Sequence, residues 1–159
     1  MATWPTITDD DGSNTTGTIV NNASVWNPIR DYIGEAWTNP SFNAANFTGS
    51  GTITWTVASG DVALHKYVVI GKTMHVHLNL ITTTVAGTGT GLRVALPGGV
   101  SLIGASRGVY WYSDNGTEGF GGYIVNASYI EFFKSSSASN WNASTNNTAI
   151  YASVTFEIA

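Results

Sequence analysis

Residues 66–81 read Lys66-Tyr67-Val68-Val69-Ile70-Gly71-Lys72-Thr73-Met74-His75-Val76-His77-Leu78-Asn79-Leu80-Ile81, and this stretch decides the fold. Two β-branched runs flank Gly71-Lys72, a two-residue turn that opens with glycine as a type II′ hairpin prefers. In the second run Met74, Val76, Leu78 and Leu80 recur with a period of two and fall on one face of a strand. His75 and His77 fall together on the opposite face.

The same period extends outward in both directions. Ile53, Trp55 and Val57 alternate with Thr52, Thr54 and Thr56, and Leu92, Val94 and Leu96 alternate with Arg93 and Ala95 before Pro97-Gly98-Gly99 ends the run. Residues 109–112, 121–125 and 129–133 are further strand candidates, separated by Asp114-Asn115-Gly116 and Asn126-Ala127-Ser128. The last strand is the clearest, with Ile150, Ala152, Val154, Phe156 and Ile158 set against Tyr151, Ser153, Thr155 and Glu157. Seven or eight short antiparallel strands predict a mainly β domain, an antiparallel β-sandwich of jelly-roll-like form, over residues 49–159. Two segments precede it. Residues 1–24 mix turn residues with β-branched residues without sustained period and predict an extended arm. Residues 25–48 hold a short helix and a linker: Asn27 is an N-cap, Pro28 takes the first helical position, and Ile29, Tyr32, Ile33, Ala36 and Trp37 follow at helical spacing. Pro40 ends it, because proline disfavours the α conformation at the residue before it.

Composition bounds the function. Of 159 residues, 10% are charged, 43% hydrophobic and 12% aromatic, with 10 Asp+Glu against 6 Lys+Arg. A chain so rich in aromatic and β-branched residues can bury a core, and its sparse charge leaves apolar side chains needing either that core or another subunit. With a net charge of −4 and no Lys/Arg cluster there is no electrostatic footprint for a phosphate backbone, so nucleic acid is not an expected partner. The absence of cysteine removes disulfides, thiolate chemistry and Cys-type zinc sites. Met1-Ala2-Thr3-Trp4-Pro5 has neither a basic n-region nor an apolar h-region, and no run approaches the roughly 20 apolar residues that span a bilayer. The expectation is a protein made in a cytoplasm, with no membrane insertion.

Catalytic chemistry is not expected. The ten acids are scattered, and no nucleophile stands beside a base in any recognisable spacing. No cofactor is implied. His75 and His77 form a His-x-His pair; three such pairs on a threefold axis could hold one transition metal, although exposure or hydrogen bonding between subunits explains the pair more simply. Asp9-Asp10-Asp11-Gly12-Ser13-Asn14 has the oxygen density of a calcium loop but lacks the distal bidentate Glu of an EF-hand. Seven Asn-x-Ser/Thr sequons, at Asn14, Asn22, Asn46, Asn115, Asn126, Asn142 and Asn146, are expected to reflect an Asn/Thr/Ser-rich surface, since no signal peptide is expected. The best ligand contacts are Trp111, Tyr112, Asp114 and Asn115, where aromatics precede a polar turn, and Trp141 and Asn142 in a long polar loop. Aromatic faces stack on sugar rings while Asp and Asn bond hydroxyls. Core or interface packing competes for Tyr110, Trp111 and Tyr112, because strand alternation buries part of the set. Trp141 is the single residue most expected to be exposed.

Two stretches carry a resemblance. Thr6-Ile7-Thr8-Asp9-Asp10-Asp11-Gly12-Ser13-Asn14-Thr15-Thr16-Gly17-Thr18-Ile19-Val20-Asn21-Asn22-Ala23, followed by a short helix, resembles the N-terminal segment of tailed-bacteriophage virion proteins of the tail-fibre and head-fibre kind. Lys66-Tyr67-Val68-Val69-Ile70-Gly71-Lys72, leading to Leu92-Arg93-Val94-Ala95-Leu96-Pro97, is similar to the C-terminal β-domain of phage fibre and receptor-binding proteins. The resemblance implies a homotrimer on a capsid or tail surface, assembled in the host cytoplasm. Its arm, with Trp4, Ile7, Asp9, Asp10 and Asp11, would dock on other virion proteins; a neck would join three copies of Ile29, Tyr32, Ile33 and Trp37; the head would meet a host surface polysaccharide or protein. The chain has no long shaft, so the implied object is short. A capsid or tail decoration protein with no external ligand is the alternative, and a free carbohydrate-binding module the third reading.

Overall fold

The computed structural model describes residues 8–10, 16–18, 37–126, 128–135, 137 and 139–159. Near the N-terminus β1 (Thr8–Asp10) and β2 (Thr16–Thr18) pair antiparallel, with Thr8 opposite Thr18 and Asp10 opposite Thr16. The arm thus contains a short hairpin that carries Asp9 and Asp10. Trp4, Ile7, Asp11, Ile29, Tyr32 and Ile33 lie outside the described residues, as do positions 27–36 of the expected helix. Trp37, the last neck candidate, is described and is not helical: Thr38 beside it forms an isolated antiparallel bridge with Tyr67.

Residues Trp37–Ala159 form a compact β-unit of nine strands. In chain order these are β3 (Phe47–Gly49), β4 (Thr54–Thr56), β5 (Val62–Ile70), β6 (Thr73–Ala86), β7 (Gly91–Ala95), β8 (Ser106–Asp114), β9 (Thr117–Val125), β10 (Tyr129–Phe133) and β11 (Ser144–Glu157). All pair antiparallel, so the mainly β, antiparallel expectation holds. Among the described residues the only helical pieces are 3-10 turns at Ala44–Asn46, Ser59–Asp61 and Pro97–Gly99.

The strands follow the order β3-β7-β10-β9-β8-β11-β6-β4, and β5 pairs beside β4 along the same edge of β6. The two ends of this order, β3 and β4, are consecutive in the chain and joined by Ser50, Gly51, Thr52 and Ile53. Ser50 N donates to Gly91 O at 2.9 Å and Ile53 N to Ser50 O at 3.2 Å, which holds the link tight. Phe47 and Trp55 meet edge to face across it, with centroids 5.7 Å apart. One sheet therefore curls until its ends meet, nearly closing as a barrel.

Its inside is the core. Met74, Val76, Leu78 and Leu80 of β6 are buried, as their period of two predicts, and pair across with Phe156, Val154, Ala152 and Ile150 of β11. Then the phase flips. Thr82 has φ 55, the pairing with β11 shifts there, and the buried residues become Thr83 and Val85. An extra residue in one strand does this, because it turns every later side chain to the other face. The flip brings Thr83 inward where Trp55 Nε1 donates to its Oγ1 at 2.9 Å; Thr83 in turn donates to Thr148 O at 2.8 Å. Buried polar groups linked in this way leave no donor without a partner.

The β8–β9 hairpin shows why each face looks as it does. Asn115 and Gly116 both have positive φ, 51° and 79°, as the two-residue type I′ turn requires. Inside, aromatic residues face glycines: Tyr110 opposite Gly121, Tyr112 opposite Gly119 and Tyr123 opposite Gly108. A Cβ on Gly121 would lie 2.6 Å from Tyr110 Cε1, and one on Gly108 2.4 Å from the Tyr123 hydroxyl. These rings lie flat over the opposite backbone and fill the space that side chains there would take. At the Gly71-Lys72 turn the positive φ falls on Gly71 alone, the pattern of the type II′ turn expected there.

Candidate functional site

Of the six expected ligand contacts, three lie on β8 and divide between its two faces, Asn115 lies in the turn after it, and Trp141 and Asn142 lie in the loop before β11. Tyr112 and Asp114 point inward, Trp111 outward. Asp114 is no loop residue: it ends β8, is 2% exposed, and its Oδ2 accepts from Lys134 Nζ at 2.5 Å and from Asn142 Nδ2 at 2.8 Å. Asn142 N adds a further bond to Oδ1 at 3.1 Å. The expectation that Trp141 is exposed is wrong: it is 2% exposed, packs edge to face on Tyr112 at 5.4 Å, and donates from Nε1 to Phe132 O at 3.3 Å. Its backbone N donates to Gly89 O at 3.0 Å. The polar loop folds inward because the Asp114 carboxylate needs those donors, and Trp141 fills the space under it. Tyr112, Asp114, Trp141 and Asn142 are thus brought together, but mainly as an interior clasp. Burial, with Tyr112 and Asp114 nearby, pushes the neighbouring Tyr110 hydroxyl well above the usual phenol range. Its proton bonds Phe133 O at 3.2 Å.

The outer face is different. Phe120, Trp111 and Tyr151 occupy one row across β9, β8 and β11, since Trp111 pairs with Phe120 on one side and with Tyr151 on the other. Trp111 and Tyr151 rings meet at 4.6 Å, edge to face. Phe120 is 79% exposed and Val109, two residues before Trp111, is 76% exposed. The next residue in the row, Asn79 on β6, pairs with Tyr151 and then with Leu64 on β5. A row of this kind carries no charge from Phe120 to Leu64, and scattered single apolar residues do not explain it. Asn115 and Asn142 are the exposed candidates, and Asn115 accepts from Asn147 Nδ2 at 3.2 Å beside the hairpin turn.

His75 and His77 share this outer face, as their spacing requires. Trp37 covers His77 at 4.6 Å and Lys66 Nζ stands 4.6 Å from the same indole, a cation–π contact. His75 Nδ1 bonds the Thr155 hydroxyl at 3.0 Å. Among the described residues no group of three or more His, Cys, Asp or Glu is placed to hold a metal, and no helix is long and apolar enough to cross a membrane. Glu131, with outward phase on β10, is nonetheless buried, because Arg93 Nε reaches its Oε1 at 2.8 Å and Tyr129 lies 4.7 Å from that guanidinium.

Sequence reasoning named Trp111 but missed its row. The signal was present only in part: Val109 and Trp111 alternate with the equally apolar Tyr110 and Tyr112, Phe120 stands between two glycines, and only the register shows that Phe120 and Trp111 line up. No family model, no curated protein and no solved structure matches this chain.

Proposed function

We propose that this chain is a structural surface protein of a bacteriophage particle, a short trimeric fibre or receptor-binding protein whose β-unit meets the host surface. The observation that carries the assembly part is the Phe120–Trp111–Tyr151 row, an uncharged aromatic strip on the outside of a folded sheet. Another copy of the same chain is its occupant, because such strips are the compositional mark of subunit interfaces and the chain has few charges to keep copies apart. The resemblance of residues 6–23 and 66–97 to phage fibre segments supports the virion part. On this reading the curled sheet is a flattened, jelly-roll-like sandwich. Its support is that Phe132 and Ile130 of one half and Met74, Leu80 and Ile150 of the other belong to a single buried cluster.

Two measurements test the reading. Sedimentation equilibrium should give a species of about 50 kDa, three times the 16.8 kDa chain. Fluorescently labelled protein mixed with bacterial cells should decorate their surface. A monomer at all accessible concentrations overturns the trimer. A trimer that binds phage particles and no cells replaces the host-contact role with that of a decoration protein.

A further inference from the structure

A cleft of about 280 Å³ opens where β5 passes the segment that leads into β3. Phe120, Trp111 and Tyr151 do not line it. Phe42, Asn39, Asn43, Asn46, Ser59 and His65 are among its lining residues, and among the described residues no carboxylate or cationic side chain is. Phe42 stacks on Phe47 at 6.0 Å with an interplanar angle of 24°, which fixes the ring, yet Phe42 stays 43% exposed. Among the described residues His65 Nε2 has no hydrogen-bond partner, and it is closed even to water, so a ligand in the cleft meets other atoms of the ring. Burial holds the His65 imidazole below its ordinary 6.5, so at neutral pH it adds no charge to the cleft wall. Asn43 Oδ1 already accepts from Ala45 N at 3.0 Å, which leaves the two hydrogens of its Nδ2. The nearby Asp61 does not line the cleft; Ala58 N and the Thr82 hydroxyl donate to its two oxygens, each at 2.8 Å.

The geometry points to a binding site for one neutral, hydroxyl-bearing ring, a single uncharged sugar residue, held by Phe42 and the amides of Asn39, Asn43 and Asn46. An exposed aromatic ring and several amides suit hydroxyls that both donate and accept. Phosphate, sulfate and carboxylate find no cation there, and the volume lies just under the roughly 300–1,000 Å³ of sites for larger ligands. As a host-contact site it rests on the reading proposed above; as a sugar site it stands on the cleft alone.

Saturation-transfer NMR tests it on the full chain. The probes are the methyl glycosides of glucose, galactose and mannose and N-acetylglucosamine, each at about 10 mM, with inorganic phosphate as the charged control. The expected result is saturation of one neutral sugar with millimolar affinity, the range for about a dozen heavy atoms at ordinary efficiency. Phe42→Ala should abolish it, and Asn43→Asp, which keeps the acceptor for Ala45 N and removes the amide hydrogens, should weaken it about tenfold, the worth of one hydrogen bond. Phe42 is exposed, so its variant folds even if the Asn43 variant does not. No sugar bound by the native chain, binding unchanged in Phe42→Ala, or displacement by phosphate overturns the site. Oligomeric state is read separately: a trimer that binds no sugar removes this site and leaves the assembly standing, and a monomer that binds sugar does the reverse.

Discussion

Replacing Phe120 by Thr removes the most exposed aromatic of the outer row and keeps a residue that strands favour. In the isolated β-unit the change costs little. Phe120 is 79% exposed, so the loss is confined to cross-strand contact with Trp111, within about 1 kcal/mol. In a trimer that covers the row the loss is larger. Burying a phenylalanine side chain contributes about 2.5 kcal/mol, and the exposed four-fifths of Phe120 then account for about 2 kcal/mol per copy. Three copies lose about 6 kcal/mol, or about four powers of ten in a dissociation constant with the dimension of concentration squared. The concentration at half-assembly scales as the square root of that constant, so it should rise about a hundredfold. Sedimentation velocity over a dilution series of native and Phe120→Thr protein reads this shift directly, with circular dichroism melts at low concentration reporting the monomer's own stability. The reasoning fails if both proteins assemble at the same concentration, or if the variant melts so early that lost folding explains lost assembly.

Other outcomes follow from the interior. Trp141→Ala should cost about 3–5 kcal/mol of stability, as large-to-small changes at fully buried aromatics do; an unchanged urea midpoint would place Trp141 at the surface after all. Lys134→Met leaves the buried Asp114 carboxylate without its cation and should cost about 3 kcal/mol, while Asp114→Asn in the same chain should recover at least half; equal single and double variants refute the pairing. His65 titrates in the opposite sense to a paired histidine. Its folded-state pKa lies below 6.5, so the unfolded chain binds the proton more readily, and stability falls as pH drops below about 6.5, flattening once the folded value is passed. Urea midpoints at pH 7.5 and 5.5 should therefore differ less in His65→Gln than in the native protein, and an equal difference removes the effect.

The fold was legible where one face is apolar and the other is not. Residues 73–80 and 150–158 alternate without interruption, and they became the paired centre of the sheet. Phe47–Gly49 was not legible, because three residues carry no period. The bulge at Thr82 left a trace that a stricter reading finds: Leu80 and Val85 are an odd number of residues apart, so they can share a face only if one residue is extra. The site was harder. Trp141 stands among Ser and Asn residues and reads as exposed, but its place is set by Asp114, Lys134 and Gly89, partners distant in sequence that no local pattern reports. Tyr110, Trp111 and Tyr112 are aromatic in both phases, so alternation says that they divide and leaves open which way. The glycines at 119 and 121 decide it, since only the face opposite them has room for the tyrosine rings.

The place of β11 between β6 and β8 has a consequence for biosynthesis. The strand that the ribosome makes last of the nine is the one that joins the two halves of the sheet. At about 5–20 residues per second, β3 to β10 leave the tunnel seconds before it does, with the edges of β6 and β8 that β11 will occupy still bare. Such edges invite pairing with any other extended chain. When many copies are made at once, the nearest such chain is a sister still on the same message, so for this architecture the interval before β11 emerges is the time of greatest exposure to mispairing.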